Sequence, residues 1–379
     1  MNQSSFKKLV SGQSSGWAAD ALRFLLNVLA VFYGVGIALR NWLFNSNRVK
    51  SWSVTPGGLV TADRTQAAVP VISIGNITVG GTGKTPMVIW LCNFLRTKDI
   101  NCAILTRGYK AARQSSPQAA GGENDEPAIL VKNCPGAAVV VNPDRLAGAL
   151  EAVKRHHAQV LIMDDGFQHR RLHRDIDIVT IDTTLPFGYN KILPAGLLRE
   201  PVSALKRAHA AILTRCDSVT KDDLTKLTQT LGQLNTKMVI AQTVHAPVCV
   251  RTGDKDEIAL AKLKGKKVFA FCGIANPDAF LATLSRLKAN LVGSKVYDDH
   301  HDYTTRDFSE IYRDAEQSQA EMILTTEKDY NKIARFSGSK SGLVLAYLAV
   351  RMQFISGQEQ ITQLIERSLA GKIPKKRTV

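Results

Sequence analysis

Thr78-Val79-Gly80-Gly81-Thr82-Gly83-Lys84-Thr85, followed by Pro86, is the stretch on which the fold turns. An apolar run at 71–74 (VISI) precedes it and a helical pattern at 86–97 follows, so the glycines occupy the turn of a strand-loop-helix unit. Gly80, Gly81 and Gly83 permit backbone conformations that aim several N–H groups at one anionic ligand, and the helix N-terminus adds its partial positive charge. Lys84 is placed to reach terminal phosphate oxygens and Thr85 to offer a hydroxyl to Mg²⁺. The whole of 78–85 is therefore the candidate nucleotide-binding loop. It departs from the general G-x-x-x-x-G-K-[ST] pattern at its first position, where Thr78 stands for glycine.

Outward from this loop, short apolar runs alternate with helical stretches, the signature of βαβ units and a parallel sheet covered by helices on both faces. Strands are expected at 71–74, 102–106, 137–141, 160–163, 176–181 and 210–214, and helices at 86–97, 145–156 and 221–231. The fold class expected is α/β, a P-loop NTPase-type sheet, with the functional loops along one edge. The polar, glycine-rich stretch 114–126 reads as a loop. A second alternation starting near Val268 predicts a smaller α/β lobe. The predicted organisation is an N-terminal membrane-associated helix at 1–45 and a kinase-like domain at 46–237. A hinge strand at 238–250, the smaller lobe at 251–342, and a return strand, helix and basic tail at 343–379 follow.

Two further segments carry candidate chemistry. The run 160–163 ends in Asp164-Asp165-Gly166, an apolar strand delivering carboxylates as hard-cation ligands, with either aspartate available to bind Mg²⁺ directly. Taken alone, such a turn is more often a cap. Leu193-Pro194-Ala195-Gly196-Leu197-Leu198-Arg199-Glu200 supplies Arg199 to neutralise charge on a transferring phosphoryl group and Glu200 as a further Mg²⁺ ligand. The alternative is a surface ion pair.

The 49 Lys and Arg against 33 Asp and Glu leave a formal charge of +16, which attracts polyanions. No finger or RNP-type segment points to nucleic acid, so anionic lipid or a phosphorylated substrate is favoured. The six scattered cysteines show no metal-ligand spacing and fit a reducing compartment. The apolar run 24–39, flanked by Arg23 and Arg40, is short for a spanning helix; it suits an in-plane interfacial helix, or a core helix.

Together, the 78–86 loop, Thr106-Arg107-Gly108-Tyr109, Asp125-Glu126-Pro127, Asp164-Asp165-Gly166-Phe167-Gln168-His169, the 193–200 segment, Asp299-His300 and Thr326-Glu327-Lys328-Asp329 resemble the tetraacyldisaccharide 4'-kinase family of the lipid A pathway. Thr78 agrees with that family. The resemblance implies ATP- and Mg²⁺-dependent phosphorylation of the 4'-hydroxyl of a membrane-bound acylated glucosamine disaccharide 1-phosphate. It places the enzyme on the cytoplasmic face of the inner membrane, peripheral or monotopic through the N-terminal helix. It also assigns Asp125 and His300 to the acceptor hydroxyl, with His301 as a local competitor for the second role. The rival reading is a membrane-associated P-loop nucleotide switch without a small-molecule acceptor. Nothing in the sequence sets an oligomeric state.

Overall fold

The structure, a computed structural model, describes residues 3–62, 68–108, 125–252, 256–274, 276–299, 301–336 and 342–373. The chain divides into a larger unit, Ser5–Val244 with Phe354–Val379, and a smaller one, chiefly His245–Gln353.

The larger unit begins with helices α1 (Gln3–Val10) and α2 (Trp17–Asn45) and a short antiparallel pair, β1 (Ser53–Val54) and β2 (Val60–Thr61). The alternation then runs β3 (Val71–Gly75), α3 (Lys84–Thr97), β4 (Cys102–Thr106), α4 (Asp125–Asn133), β5 (Ala138–Val141), α5 (Arg145–His156), β6 (Val160–Asp164), β7 (Ile176–Asp182), β8 (Ala210–Thr214), α6 (Lys221–Leu234) and β9 (Val239–Thr252). The strands pair in the order β5-β4-β6-β3-β7-β8-β9, all parallel. The α/β expectation holds, with β3 between β6 and β7. Every residue of β3, β4, β6 and β8 is buried, which is why these strands read as mostly apolar runs. One cluster joins Val71, Leu105 and Leu161 to Ala149 and Val153 of α5. Another joins Val179, Ile181 and Leu213 to Leu227 and Leu231 of α6. Each fully buried Leu, Ile or Val contributes about 1.5–3 kcal/mol.

Two local expectations change. Asp125 and Glu126 open α4 and do not end a loop; residues 109–124 lie outside the described residues. The N-terminal helix runs 29 residues, well beyond the apolar run 24–39, because helix hydrogen bonding continues through Arg23 and Arg40, both good helix formers. By length and composition it is long enough to cross a membrane. One narrow stripe of α2 packs on the unit: Ala30 is buried, Gly34 meets Ile192, and Tyr33, Arg40, Asn41 and Phe44 contact residues described below. Phe24, Val31, Phe32, Val35 and Leu39 remain exposed, Phe24 by 72%.

In the smaller unit the second half of β9 carries β10 (Asp256–Ile258) as an antiparallel neighbour. There follow β11 (Lys267–Cys272), α7 (Pro277–Arg286), β12 (Asn290–Val296), α8 (Thr305–Gln317), β13 (Met322–Thr326), α9 (Glu327–Ile333) and β14 (Val344–Ser356). The order is β12-β11-β13-β14-β9, with β11 to β14 parallel. Phe280 and Leu284 of α7 pack with Val268 and Leu324, while Phe308 and Ile311 of α8 pack with Phe269 and Ile323. The chain passes between units within β9 and within β14, and α10 (Gln358–Leu369) returns to the larger unit. All six cysteines are buried and none forms a disulfide.

Candidate active site

The 78–85 loop leaves the C-terminal end of β3 and enters α3 at Lys84. Gly80 (φ 122°) and Gly83 (φ 88°) hold conformations that a Cβ disfavours, and they turn the backbone toward the open first turn of α3. A buried relay fixes the loop from below. Asn76 Nδ2 donates to Thr82 Oγ1 at 3.0 Å, the Thr82 and Thr180 hydroxyls lie 2.7 Å apart, and Thr180 Oγ1 donates to the Gly75 carbonyl at 3.2 Å. Since Thr180 spends its proton on Gly75, Thr82 is the donor to Thr180. Thr214 Oγ1, from β8, donates to the Thr82 carbonyl at 3.0 Å, and Arg215 donates to that of Gly81 at 3.0 Å.

The first residue of the loop has no need of glycine. Thr78 pairs with Leu198 in an isolated antiparallel bridge, Val79 N donates to Leu197 O at 2.8 Å, and Arg199 N donates to Ile77 O at 2.7 Å. Extended backbone of this kind suits a β-branched residue. The pairing also lays the 197–199 segment directly along the start of the loop.

Asp164 ends β6 opposite Ile74 of β3. It is buried, with Thr106 Oγ1 at 3.5 Å from its carboxylate and Arg145 donating to its carbonyl at 3.2 Å. Asp165 follows in a left-handed conformation (φ 51°). Its carboxylate takes both bonds from Arg199 Nη1, at 2.9 and 2.8 Å, and stands 3.4 Å from Lys84 Nζ. Burial pushes the Asp165 carboxyl up, but the positive charges of Lys84 and Arg199 outweigh it and hold it at about 2. The turn can lie against β3 because Gly75 lacks a side chain: a Cβ there would be 2.6 Å from Phe167 Cβ. Gln168 Nε2 then donates to the Asn76 carbonyl at 2.8 Å, tying the acidic turn to the loop. Burial, with Arg145, Arg174 and Arg171 nearby, pushes His169 down to about 4, so its imidazole is neutral at neutral pH.

Glu200 has surroundings that its sequence role as a Mg²⁺ ligand did not anticipate. It is fully buried, and its two oxygens accept from Arg40 (3.0 Å), Asn41 (3.2 Å) and Arg207 (3.0 and 2.9 Å). A carboxylate so committed is a structural counter-ion for two guanidinium groups. Thr85 lies in the first turn of α3 and Asp164 ends β6 beside Ile74 of β3; a hydroxyl and a carboxylate are hard oxygen ligands that fit Mg²⁺, which takes one or two protein ligands together with phosphates. No cluster of three His, Cys, Asp or Glu able to hold a metal by itself occurs among the described residues.

The larger unit thus brings together Lys84, Asp165 and Arg199 around the loop. The Asp125 side chain and all of His300 lie outside the described residues. In the smaller unit Lys328 pairs with Asp299 at 3.1 Å and not with Asp329, which instead receives Gly273 N and the Thr326 hydroxyl. His301 stands 3.2 Å from Asp307. Sequence reading missed Thr180, Thr214, Arg215, Tyr33 and Arg40. Thr180 and Thr214 had left a signal, each as a lone hydroxyl within a buried strand; the others had none.

The model of the tetraacyldisaccharide-1-P 4'-kinase family matches residues 22–370. A tetraacyldisaccharide 4'-kinase from Anaeromyxobacter sp. (strain Fw109-5) is 37% identical over 88% of this chain and 91% of its own length. One from Syntrophus aciditrophicus (strain SB) is 35% identical over 90% and 91%. Among solved structures, LpxK from Aquifex aeolicus, in a complex with ATP, superposes with a TM-score of 0.68 at 29% identity, covering 92% of this chain and 99% of that one. With its phosphate loop, acidic turn and arginine in one cluster and its family matched along most of its length, the chain belongs to the tetraacyldisaccharide-1-P 4'-kinases.

Proposed function

We propose that this protein transfers the γ-phosphoryl group of ATP to the 4'-hydroxyl of an acylated glucosamine disaccharide 1-phosphate held in the cytoplasmic face of the inner membrane, giving the 1,4'-bisphosphate. The observation that carries the reading is the Lys84–Asp165–Arg199 cluster against the phosphate loop, in a chain of this family. The ATP bound to the Aquifex LpxK supports the choice of donor.

In this reading the N–H groups of the loop and the first turn of α3 bind the β- and γ-phosphates, and Lys84 leaves Asp165 to follow the γ-phosphoryl group. Arg199, released from the same carboxylate, neutralises the charge that builds on the equatorial oxygens, and such stabilisation is worth several kcal/mol where water is excluded. Thr85 with Asp164 or Asp165 would hold Mg²⁺, which when bound would supply charge neutralisation of the phosphates. Asp125 accepts the acceptor's hydroxyl proton, with His300 orienting or tuning it.

The exposed apolar faces of α2 enter the bilayer boundary, and the net charge of +16 favours an anionic surface and an anionic headgroup. Arg48 over Trp42 (4.4 Å) and Arg170 over Phe44 (5.1 Å) place cations beside the aromatics at the end of that helix, a combination suited to the headgroup layer.

The deciding experiment incubates the purified chain with ATP, Mg²⁺ and the acylated disaccharide 1-phosphate in detergent and follows the lipid by mass spectrometry. Gain of one phosphate at the 4'-position is expected. ATP hydrolysis with no phosphate on the lipid would favour the nucleotide-switch reading.

A further inference from the structure

Helix α2 does more than rest on the larger unit, because three of its side chains, Tyr33, Arg40 and Asn41, grip the segment that carries Arg199. Tyr33 Oη donates to the Arg199 carbonyl at 2.9 Å, and Arg40 donates to Glu200 at 3.0 Å, with Asn41 and Arg207 completing the shell of that buried carboxylate. From the other side, Arg199 N donates to Ile77 O and Leu197 O accepts from Val79 N, so residues 197–199 are paired with the start of the phosphate loop. Residues 197–200 are therefore clamped between α2 and the loop, and the Arg199 side chain projects from that clamp onto Asp165.

A mere anchor would not call for this chemistry. Gly34 on Ile192 already supplies close apolar packing, whereas burying Glu200 completely carries a desolvation cost that only well-placed partners offset. Directional bonds to the backbone of Arg199 and to the next residue fix where its guanidinium can reach.

We infer that Tyr33 and Arg40 are positioning residues for Arg199, so that α2 is part of the phosphoryl-transfer scaffold as well as the bilayer contact. The catalytic consequence rests on the role given to Arg199 above; the clamping itself does not.

The test uses the full-length protein carrying Tyr33→Phe, Arg40→Gln or Arg40→Lys, with Val35→Ser as a variant on the exposed face. Two readouts are taken: amide hydrogen exchange at Leu198 and Arg199, and kcat and KM for transfer to the acylated disaccharide. Tyr33→Phe and Arg40→Gln are expected to speed exchange at these two amides and lower kcat by about five- to tenfold, the loss of one or two net hydrogen bonds, at little changed acceptor KM and vesicle binding. Arg40→Lys should recover part of both effects. Val35→Ser should weaken vesicle binding and leave exchange at 198 and 199 as it was. Unchanged exchange in both Tyr33→Phe and Arg40→Gln would overturn the proposal, as would faster exchange with wild-type kcat. If the wild type itself transfers nothing to the lipid, the proposed activity fails, and the exchange data still decide whether α2 holds the segment.

Discussion

Arg199 donates to both carboxylate oxygens of Asp165, at 2.9 and 2.8 Å, and the same carboxylate stands 3.4 Å from Lys84. Asp165 thus bridges two cations beside the phosphate loop, and in the proposed reaction a γ-phosphate would take its place between them. In the proposed reaction both cations would exchange one anion for another in place, which would keep the reorganisation small at the moment of transfer.

Acid should weaken the protein through this residue. Asp165 sits at about 2 in the folded chain, below the roughly 3.9 of an unfolded aspartate, so its contribution is full above about pH 4 and is lost as pH falls through about 2. Its size is about 2 kcal/mol, by the usual conversion of a shift of this order. Asp165→Asn should therefore unfold more readily than wild type at pH 6 and differ little from it near pH 2. Urea titrations across that range would show it; a gap that persists undiminished at pH 2 would contradict the assignment.

Lys84→Ala and Asp125→Ala are each expected to reduce transfer by at least about a hundredfold. Only Lys84→Ala should also weaken nucleotide binding, because Asp125 is assigned to the acceptor. His301→Ala should change little. Equal losses at His300 and His301 in steady-state assays would remove the distinction made between them.

Glu200→Gln separates a counter-ion from a metal ligand. With Arg40 and Arg207 left facing a neutral amide, stability should drop by about 3 kcal/mol, the scale seen when one member of a buried pair is removed. The Mg²⁺ concentration for half-maximal activity should stay near the wild-type value. A large rise in that concentration with an unchanged melting temperature would return Glu200 to the metal site.

Gly75→Ala tests the seat of the acidic turn. The added methyl would lie 2.6 Å from Phe167 Cβ and 2.7 Å from its backbone nitrogen, contacts that only backbone movement can relieve. A loss of about 1–3 kcal/mol is expected, as for other overpacked sites. Transfer should fall with it, since Asp164 and Asp165 ride on the displaced turn. Wild-type stability and activity in this variant would mean the turn is free to move.

Much of this protein was legible along the chain. Strands β3, β4, β6 and β8 are short, wholly buried and mostly apolar runs, and burial on both faces is a property each segment carries in its own composition. The loop announced itself because backbone conformations open to glycine and a helix start are local requirements. What the chain could not reveal were the partners: Tyr33 meets Arg199 across 166 positions, and Arg40 meets Glu200 across 160. Nothing in either neighbourhood encodes the other, because such pairs are set by where packed elements lie, and a one-residue change in a helix's facing would exchange them. So the sequence determined a phosphate-binding α/β fold and its family, while only the tertiary structure decided that Glu200 serves arginines, that Thr78 lies in a strand pairing, and that α2 reaches Arg199.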